Sequence, residues 1–486
     1  MPGVIVTTAV RTGPTNTQTA ATATMFLAGL TERGPDGTVH LITSLSDYED
    51  IFGGVASAGY THQTIETFFE EGGARAYVSR VIGSSATEAS LGLENSASDT
   101  VVTLTAAGKG TWAHSGVLTA KVEQPSAGVN FKVTISLNGN DVFISSVHTT
   151  VAGLVNEINN STTAALYVTA TDEGESGIPD VISATNFAGG TDDSTVVAAD
   201  YVTAIDLFTE NLGPGAVCAP GQTSGTVYNA LIAHAAENRR IAVLGFDESE
   251  TVSGAIDVVT DYSDADNSEY AAFFYPWVKI PNGSTLTATI PADGYVCAKR
   301  AKVQNDVGTW LPYAGERAQA SFVISPSVSM SKTEADTLDA GYVNAIKIVN
   351  GTTRIYGARS ASSDTTNYRF IIAREVLNQI VHEAEMALEA LLFLPIDGRR
   401  STFSRVQATL TGIMERIRIG GGLYEATDAF GKRIDPGYTV QVNDSINPLS
   451  QLATGVIKAK VGARVSSIGD TIEVEIVKSN LTSTLV

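Results

Sequence analysis

Two cysteines in 486 residues, Cys218 and Cys297, are too few for a disulfide framework, and their separation is not a metal-ligand spacing. They are expected to be small buried hydrophobes. No apolar run approaches the roughly 18 residues that a spanning helix needs; the longest candidates are 271–275 and 391–396. The first residues lack a basic stretch and carry too short an apolar run for a signal peptide, so folding in a cytosol is expected. The glycosylation patterns at Asn160, Asn282 and Asn350 are then chance matches. Basic residues are also scarce: 31 Lys and Arg face 52 Asp and Glu, for a net charge of −21. That balance opposes the counterion release that drives nucleic-acid binding, and it disfavours anionic membranes. Neither direct nucleic-acid contact nor membrane insertion is expected.

What is present is material for several folded units. Hydrophobic residues make up 43% and charged residues 17% of the chain, enough for large cores. Residues 1–20 hold an apolar β-branched run, Val4-Ile5-Val6-Thr7-Thr8, and then a Thr-rich tract without helical period, the pattern of an extended arm. From residue 21 to 85, strands and helices alternate, with Ser44 or Ser46 as a helix cap. The same α/β texture resumes at 200 and runs to 344, with a helix at 200–210, a strand at 216–219, a helix at 228–238 and a strand at 241–245.

Between them, 86–199 is rich in Thr, Ser, Val and Gly, with short strands at 101–105, 131–137, 142–147 and 166–171. Asn138-Gly139 is a hairpin signal between two of them. Three Lys against twelve acidic residues leave this stretch at −9, which predicts an inserted, surface β-sandwich. Residues 345–465 carry two amphipathic helices. One repeats Val376, Ile380, Ala384, Leu388 and Leu391; the other repeats Phe403, Val406, Leu410, Ile413 and Ile417. Strand-like runs follow at 456–465 and 471–477, the latter alternating Ile472, Val474 and Ile476 with Glu473, Glu475 and Val477, and 466–486 reads as a second β-arm. The predicted fold is a multidomain α/β and α+β chain with an inserted β-sandwich and terminal β-arms.

Catalytic signatures are incomplete. His382-Glu383 begins a zincin motif, but Met386 stands where the second His is required. The 106–111 stretch, Ala-Ala-Gly-Lys-Gly-Thr, suggests a phosphate loop, yet Thr103 replaces its first Gly and Gly110 its metal-binding hydroxyl. Asp261, Asp264 and Asp266 lack the Gly and Glu of a calcium loop. The spacing of Gly221-Gln222-Thr223-Ser224-Gly225 is not that of a nucleophile elbow. No catalytic residue, cofactor or metal is expected. Charge is informative when divided: 395–464 has ten basic and six acidic residues, a balance of +4 that suits either a solvated face or docking on an acidic protein.

An ordered set of motifs resembles the contractile tail sheath proteins of bacteriophages and phage-like contractile injection systems. Pro2-Gly3-Val4-Ile5-Val6 is similar to the family's opening strand. Phe68-Phe69-Glu70-Glu71-Gly72-Gly73-Ala74-Arg75-Ala76-Tyr77-Val78-Ser79-Arg80-Val81 is similar to its FFxNGG stretch, with Glu71 for Asn. Gly189-Gly190-Thr191-Asp192-Asp193, Tyr275-Pro276-Trp277, Gly308-Thr309-Trp310-Leu311-Pro312 and Ile355-Tyr356-Gly357-Ala358-Arg359 follow in family order.

The resemblance implies a non-enzymatic virion subunit assembled in the bacterial cytoplasm, which polymerises with itself as stacked six-fold rings around an inner tail tube. It also implies contacts with baseplate and tail terminator proteins, and contraction that drives the tube through a host envelope. Val4, Ile5, Val6, Thr7, Ile472, Val474 and Ile476 would be strands donated to neighbours. The tube-facing surface would lie on the carboxyl-terminal domain, on a short helix at 447–454 with Asn447 as N-cap and Pro448 at its first position. That helix has no charge, so Arg399, Arg405, Arg416, Lys458 and Lys460 would supply the attraction. The competing readings are a cytosolic α/β hydrolase with a β insertion and a virion surface or adhesin component.

Overall fold

The structure, a computed structural model, describes residues 22–114, 116–193, 195–283, 286–470 and 474. Val4, Ile5, Val6, Thr7, Ile472 and Ile476 lie outside them. The chain is a mixed α/β multidomain protein, with eleven α-helices and several sheets among the described residues.

The largest sheet has eight strands, in the order Thr352–Tyr356, Val343–Val349, Ala271–Tyr275, Ile241–Leu244, Ala216–Cys218, Met25–Leu30, Ala76–Val81, Val39–Ile42. Its inner pairings are parallel and its two edge pairings antiparallel. Parallel strands need both faces covered, and Met25–Leu30 shows how this is met. Met25 and Leu27 point into one core with Phe68, Tyr295 and Phe274, while Phe26 and Ala28 enter another with Phe208, Leu231 and Phe273. The sequence expectation of a unit boundary at 344/345 is corrected here. Residue 345 lies inside Val343–Val349, which pairs with both Ala271–Tyr275 and Thr352–Tyr356, so the large sheet continues to residue 356.

Residues 90–186 build two smaller sheets. One holds Ser90–Glu94, Thr100–Ala106 and Val168–Asp172; the other holds Ile182–Asn186, Leu118–Ser126, Asn130–Leu137 and Asn140–Ile144. They share one core, but with a helix, Val151–Asn160, that the strand reading of this stretch did not include. Thr150 caps it, accepting from the Gly153 amide, and Val151, Leu154 and Ile158 recur at helical spacing on its buried side. The predicted strand at 166–171 is likewise a 3-10 turn, Ala164–Leu166, leading into Val168–Asp172.

The 106–111 stretch, which lacks the residues of a phosphate loop, joins this unit to the large sheet. Gly108 has φ +105°, and a Cβ there would meet the Gly34 carbonyl oxygen at 2.1 Å. That close approach lets the Lys109 amide donate to Asp36 Oδ1 at 2.9 Å, the Thr111 amide to Asp192 at 2.9 Å, and Arg80 Nη1 to the Gly34 carbonyl at 2.5 Å.

Buried polar groups are matched in detail. Glu71, the departure from the family pattern, is 1% exposed. It accepts from the amides of Ser321, Phe322 and Val323 and pairs with Lys299 Nζ at 2.5 Å. Burial alone would raise its carboxyl, but the bonds from Lys299, Val323 and Ser321 hold it below the usual value. Arg240, fully buried, donates to the carbonyls of Phe208, Thr209 and Gly213 and to His234 Nε2 at 2.6 Å.

Burial, with the Arg240 charge beside it, lowers His234 to about 4. The unfolded imidazole takes up a proton near 6.5 and the folded one does not until about 4, so stability is full above 6.5 and falls as pH drops through that window. The loss is expected to reach at most about 3 kcal/mol. His234→Gln, which keeps an acceptor for Arg240, should flatten the urea midpoint between pH 6.5 and 4.

Candidate functional site

The two long helices expected from periodicity are Ile371–Glu389 and Ser401–Ile419. Phe403, Val406, Leu410, Ile413 and Ile417 are all buried; on the first helix Val376 and Ile380 are buried and Ala384 and Leu388 half-buried. The strands Tyr438–Gln441 and Lys460–Ala463 form a two-stranded sheet against them, with Val440 and Val461 reaching the helix cores. Among the described residues, Tyr438–Gln441 has no partner on its other side. Such an edge is a template for an added strand.

Half of the ten basic residues of 395–464 pair with carboxylates, Arg433 with Glu415 at 3.8 Å among them. Arg416 pairs with Glu383, Arg400 with Asp444, Arg418 with Glu415 and Glu425, and Arg464 with Asp435. Arg399, Arg405, Lys432, Lys458 and Lys460 have no carboxylate partner among the described residues and are exposed, so they carry the positive balance. Arg405 and Arg416 are three helical turns apart and share a face. Phe403 and Val406, beside Arg405, share a core with Leu452 and Ile457, which brings the start of that helix against the 447–458 loop. Arg416 sits toward the other end of the same helix.

The role expected for Asn447 is corrected. The short helix is Leu449–Leu452, and Pro448, not Asn447, stands at its N-cap, which has no side-chain bond. Asn447 is 1% exposed and latches the loop from inside. Its Nδ2 donates to the carbonyls of Asn443 (3.0 Å) and Lys458 (2.9 Å), and its Oδ1 accepts from the Lys458 amide at 2.6 Å. The capping reading used only the local Asn-Pro pair; the true partners lie up to eleven residues away.

Exposed apolar side chains concentrate in the same unit. Phe393 and Phe430 are essentially bare, at 103% and 96%, and Leu449, Ile419, Ile434 and Val474 are also exposed. A groove of about 660 Å³ runs between the long helices, lined by Ile380, Ala384, Leu388, Leu410, Ile413 and Val461. Isolated exposed hydrophobes are ordinary, and neither bare phenylalanine lines the groove.

Chemistry is poorly provided for elsewhere. Among the described residues no group of His, Cys, Asp and Glu is placed to hold a metal, and no helix is long and apolar enough to cross a membrane. Contact with Cys297 and burial raise the Cys218 thiol well above its ordinary value. Asp264 caps a helix and accepts from Ser363 Oγ.

No family model and no curated protein matches the sequence. Solved structures do. The helical sheath of the anti-feeding prophage in its contracted state aligns with TM-score 0.55 at 15% identity, covering 99% of each chain. A sheath complex of an extracellular contractile injection system, also contracted, gives 0.56 at 15%, covering 99% of this chain and 98% of the other. The chain has the fold of contractile sheath proteins. A sheath tail protein of Listeria innocua agrees, with TM-score 0.60 at 16% identity over 87% of this chain and 89% of that one. The likeness read from the motifs thus holds for the fold, and these neighbours are structural sheath proteins.

Within the sheath fold, the Asn447 latch positions Lys458 and, two residues on, Lys460. Asn447→Ala removes three hydrogen bonds and leaves buried backbone groups unpaired, an expected cost of about 2 kcal/mol. Hydrogen exchange at the Lys458 amide should accelerate accordingly, with the large sheet unaffected.

Proposed function

We propose that this chain is the structural subunit of a contractile sheath. The observation that carries the proposal is a match over 98–99% of both chains to sheath subunits, including contracted ones. It polymerises with itself as stacked six-fold rings around an inner tail tube, meets baseplate and tail terminator proteins at the ends, and contracts to drive the tube through an envelope. In a phage this precedes genome ejection; in an injection system, delivery. Assembly takes place in the bacterial cytoplasm and the product is a tail. The role needs no catalytic residue or cofactor, because the energy is held in metastable intersubunit packing. Nucleic acid and membrane are not direct partners.

The division of labour we propose follows the sequence expectation with its one corrected boundary. Residues 1–20 and 466–486 are arms; 21–85 with 200–356 form the sheath domain; 86–199 is a surface insertion with its own core; the unit from 357 to 465 faces the tube. Val4, Ile5, Val6, Thr7, Ile472, Val474 and Ile476 pair with strand edges of neighbouring copies. The open side of Tyr438–Gln441 and the exposure of Val474 support strand exchange. Deleting 1–12, or truncating before Thr471, should leave a folded monomer that forms no long tubes in negative-stain micrographs. Regular tubes from either truncation would remove that arm from the mesh.

Arg399, Arg405, Arg416, Lys458 and Lys460, with the Asn447 and Pro448 loop, form the tube-facing surface in this reading. Exposed ion pairs contribute at most about 1 kcal/mol each, but they repeat in every ring. Charge reversal at Arg405 and Lys458 should weaken assembly on the tube, more at 50 mM than at 500 mM salt. Equal loss at both would show that the contact is made by packing, and Arg416, held by Glu383, should have the smallest effect.

A further inference from the structure

The chain reaches its carboxyl-terminal segment through a built joint. The Asp470 carboxylate lies 3.1 Å from Arg359 Nη2 and 3.2 Å from Arg369 Nη2. Both guanidiniums also stand over the ring of Phe370, at 5.1 and 5.4 Å from its centroid. The two arms of this clamp differ. Arg369 is half exposed and has no other carboxylate among the described residues. Arg359 is 6% exposed, and its Nε donates to Asp339 Oδ1 at 2.8 Å.

Arg359 is in turn fixed to the large sheet. Its amide donates to Asn344 Oδ1 at 2.7 Å, and the fully buried Asn344 donates to the carbonyls of Phe273 and Arg359, both at 3.0 Å. Upstream of Asp470 the chain is held as far as Ser466: the Arg464 amide bonds the Gly437 carbonyl and its carbonyl accepts from the Tyr424 amide, both at 2.8 Å, Val465 packs on the helix core, and the Ser466 amide bonds the Gly422 carbonyl at 3.0 Å; residues 463–467 border a cleft of about 470 Å³ against 365–377. The last side-chain attachment before residue 471 is therefore through one carboxylate to Arg359 at the edge of the large sheet, beyond the bonds at 464–466 that tie the segment to the two-stranded sheet and helices.

We propose that Asp470, clamped by Arg359 and Arg369, is the root of the carboxyl-terminal arm and delivers the pull of a neighbouring subunit directly to the large sheet. The inference rests on the strand-exchange reading above. It gives Arg359, within the Gly357-Ala358-Arg359 motif, a mechanical role: the motif ends where load enters the core. A root on the sheet edge lets residues 471–486 stay bound to a neighbour while other surface contacts of the subunit rearrange.

The test uses the full-length protein with Asp470→Arg, Asp470→Glu and Arg369→Gln. In the monomer, Asp470→Arg should leave the melting temperature unchanged yet speed proteolytic cleavage near 466–470, while Asp470→Glu, which keeps the charge, should cleave like the wild type. In assembly, each weakened joint should shorten tubes by about fivefold, the worth of one exposed ion pair. The order of severity should be Asp470→Arg, then Arg369→Gln, with Asp470→Glu close to wild type. Wild-type cleavage rates in Asp470→Arg would overturn the clamp. Faster cleavage with tubes of normal length would overturn the load path and leave strand exchange standing. Failure of the wild type itself to polymerise would overturn strand exchange, and the load path with it, whatever the cleavage rates.

Discussion

A single buried ion pair, Arg300 with Glu375, holds the parts of this molecule in register. Both side chains are 2% exposed, and the contact is bidentate, at 2.6 and 2.7 Å. Arg300 comes from the helix Asp293–Asp306 that covers one face of the large sheet; Glu375 comes from the second turn of Ile371–Glu389, whose far end packs against Ser401–Ile419 and the two-stranded sheet. The remaining arm of the guanidinium holds the Thr22 carbonyl at 2.7 Å, where the described chain begins. Removing one partner of such a pair strands a buried charge and costs about 3–5 kcal/mol, although the intact pair is no more stabilising than good apolar packing would be. Its value is directional. It sets one angle among sheet, helix and amino-terminal entry.

Beside it, Lys299 with Glu71 serves the same purpose on the neighbouring residue of the same helix. The Glu71 carboxylate gathers three consecutive amides of 321–323. A helix that carries two adjacent buried cations, each with a fixed carboxylate, cannot slide along the sheet without exposing or orphaning charge. If the chain moves as a body between two polymer states, as proposed above, a rigid interior of this kind concentrates the change at its surfaces. The surfaces here are suited to that. They hold small ion pairs, bare aromatics, an apolar groove and an unpaired strand edge, contacts that are individually weak and exchangeable.

The unit at 90–186 illustrates a different compromise. It keeps its own core, so its folding does not draw on the large sheet, yet it is seated by the Gly108 turn against Gly34 and by Asp36 and Asp192. Its core shares no residue with the cores of the large sheet among the described residues. The seat is nonetheless specific, since a side chain at residue 108 would collide with the Gly34 carbonyl.

The sequence by itself determined the local elements. Local patterns located the strands at 216–219 and 241–245 and both long helices, and Asn138-Gly139 marked a hairpin, because backbone preference and amphipathicity are written in neighbouring residues; of the two cap candidates, Ser44 and Ser46, the structure chose Ser44. Ordered motifs carried the fold family. Tertiary structure alone decided that residue 345 lies within the large sheet and that Asn447 latches a loop where a helix cap was expected; the helix Val151–Asn160 was written locally, in its Thr150 cap and helical spacing, and was missed for the strand-rich texture around it. It alone also joined Glu71 to Ser321, 250 residues on, and Arg359 to Asp470, 111 residues on. A buried charge is stable only beside its partner, and which distant residue becomes that partner is fixed by how the sheets and helices pack, not by any pattern along the chain.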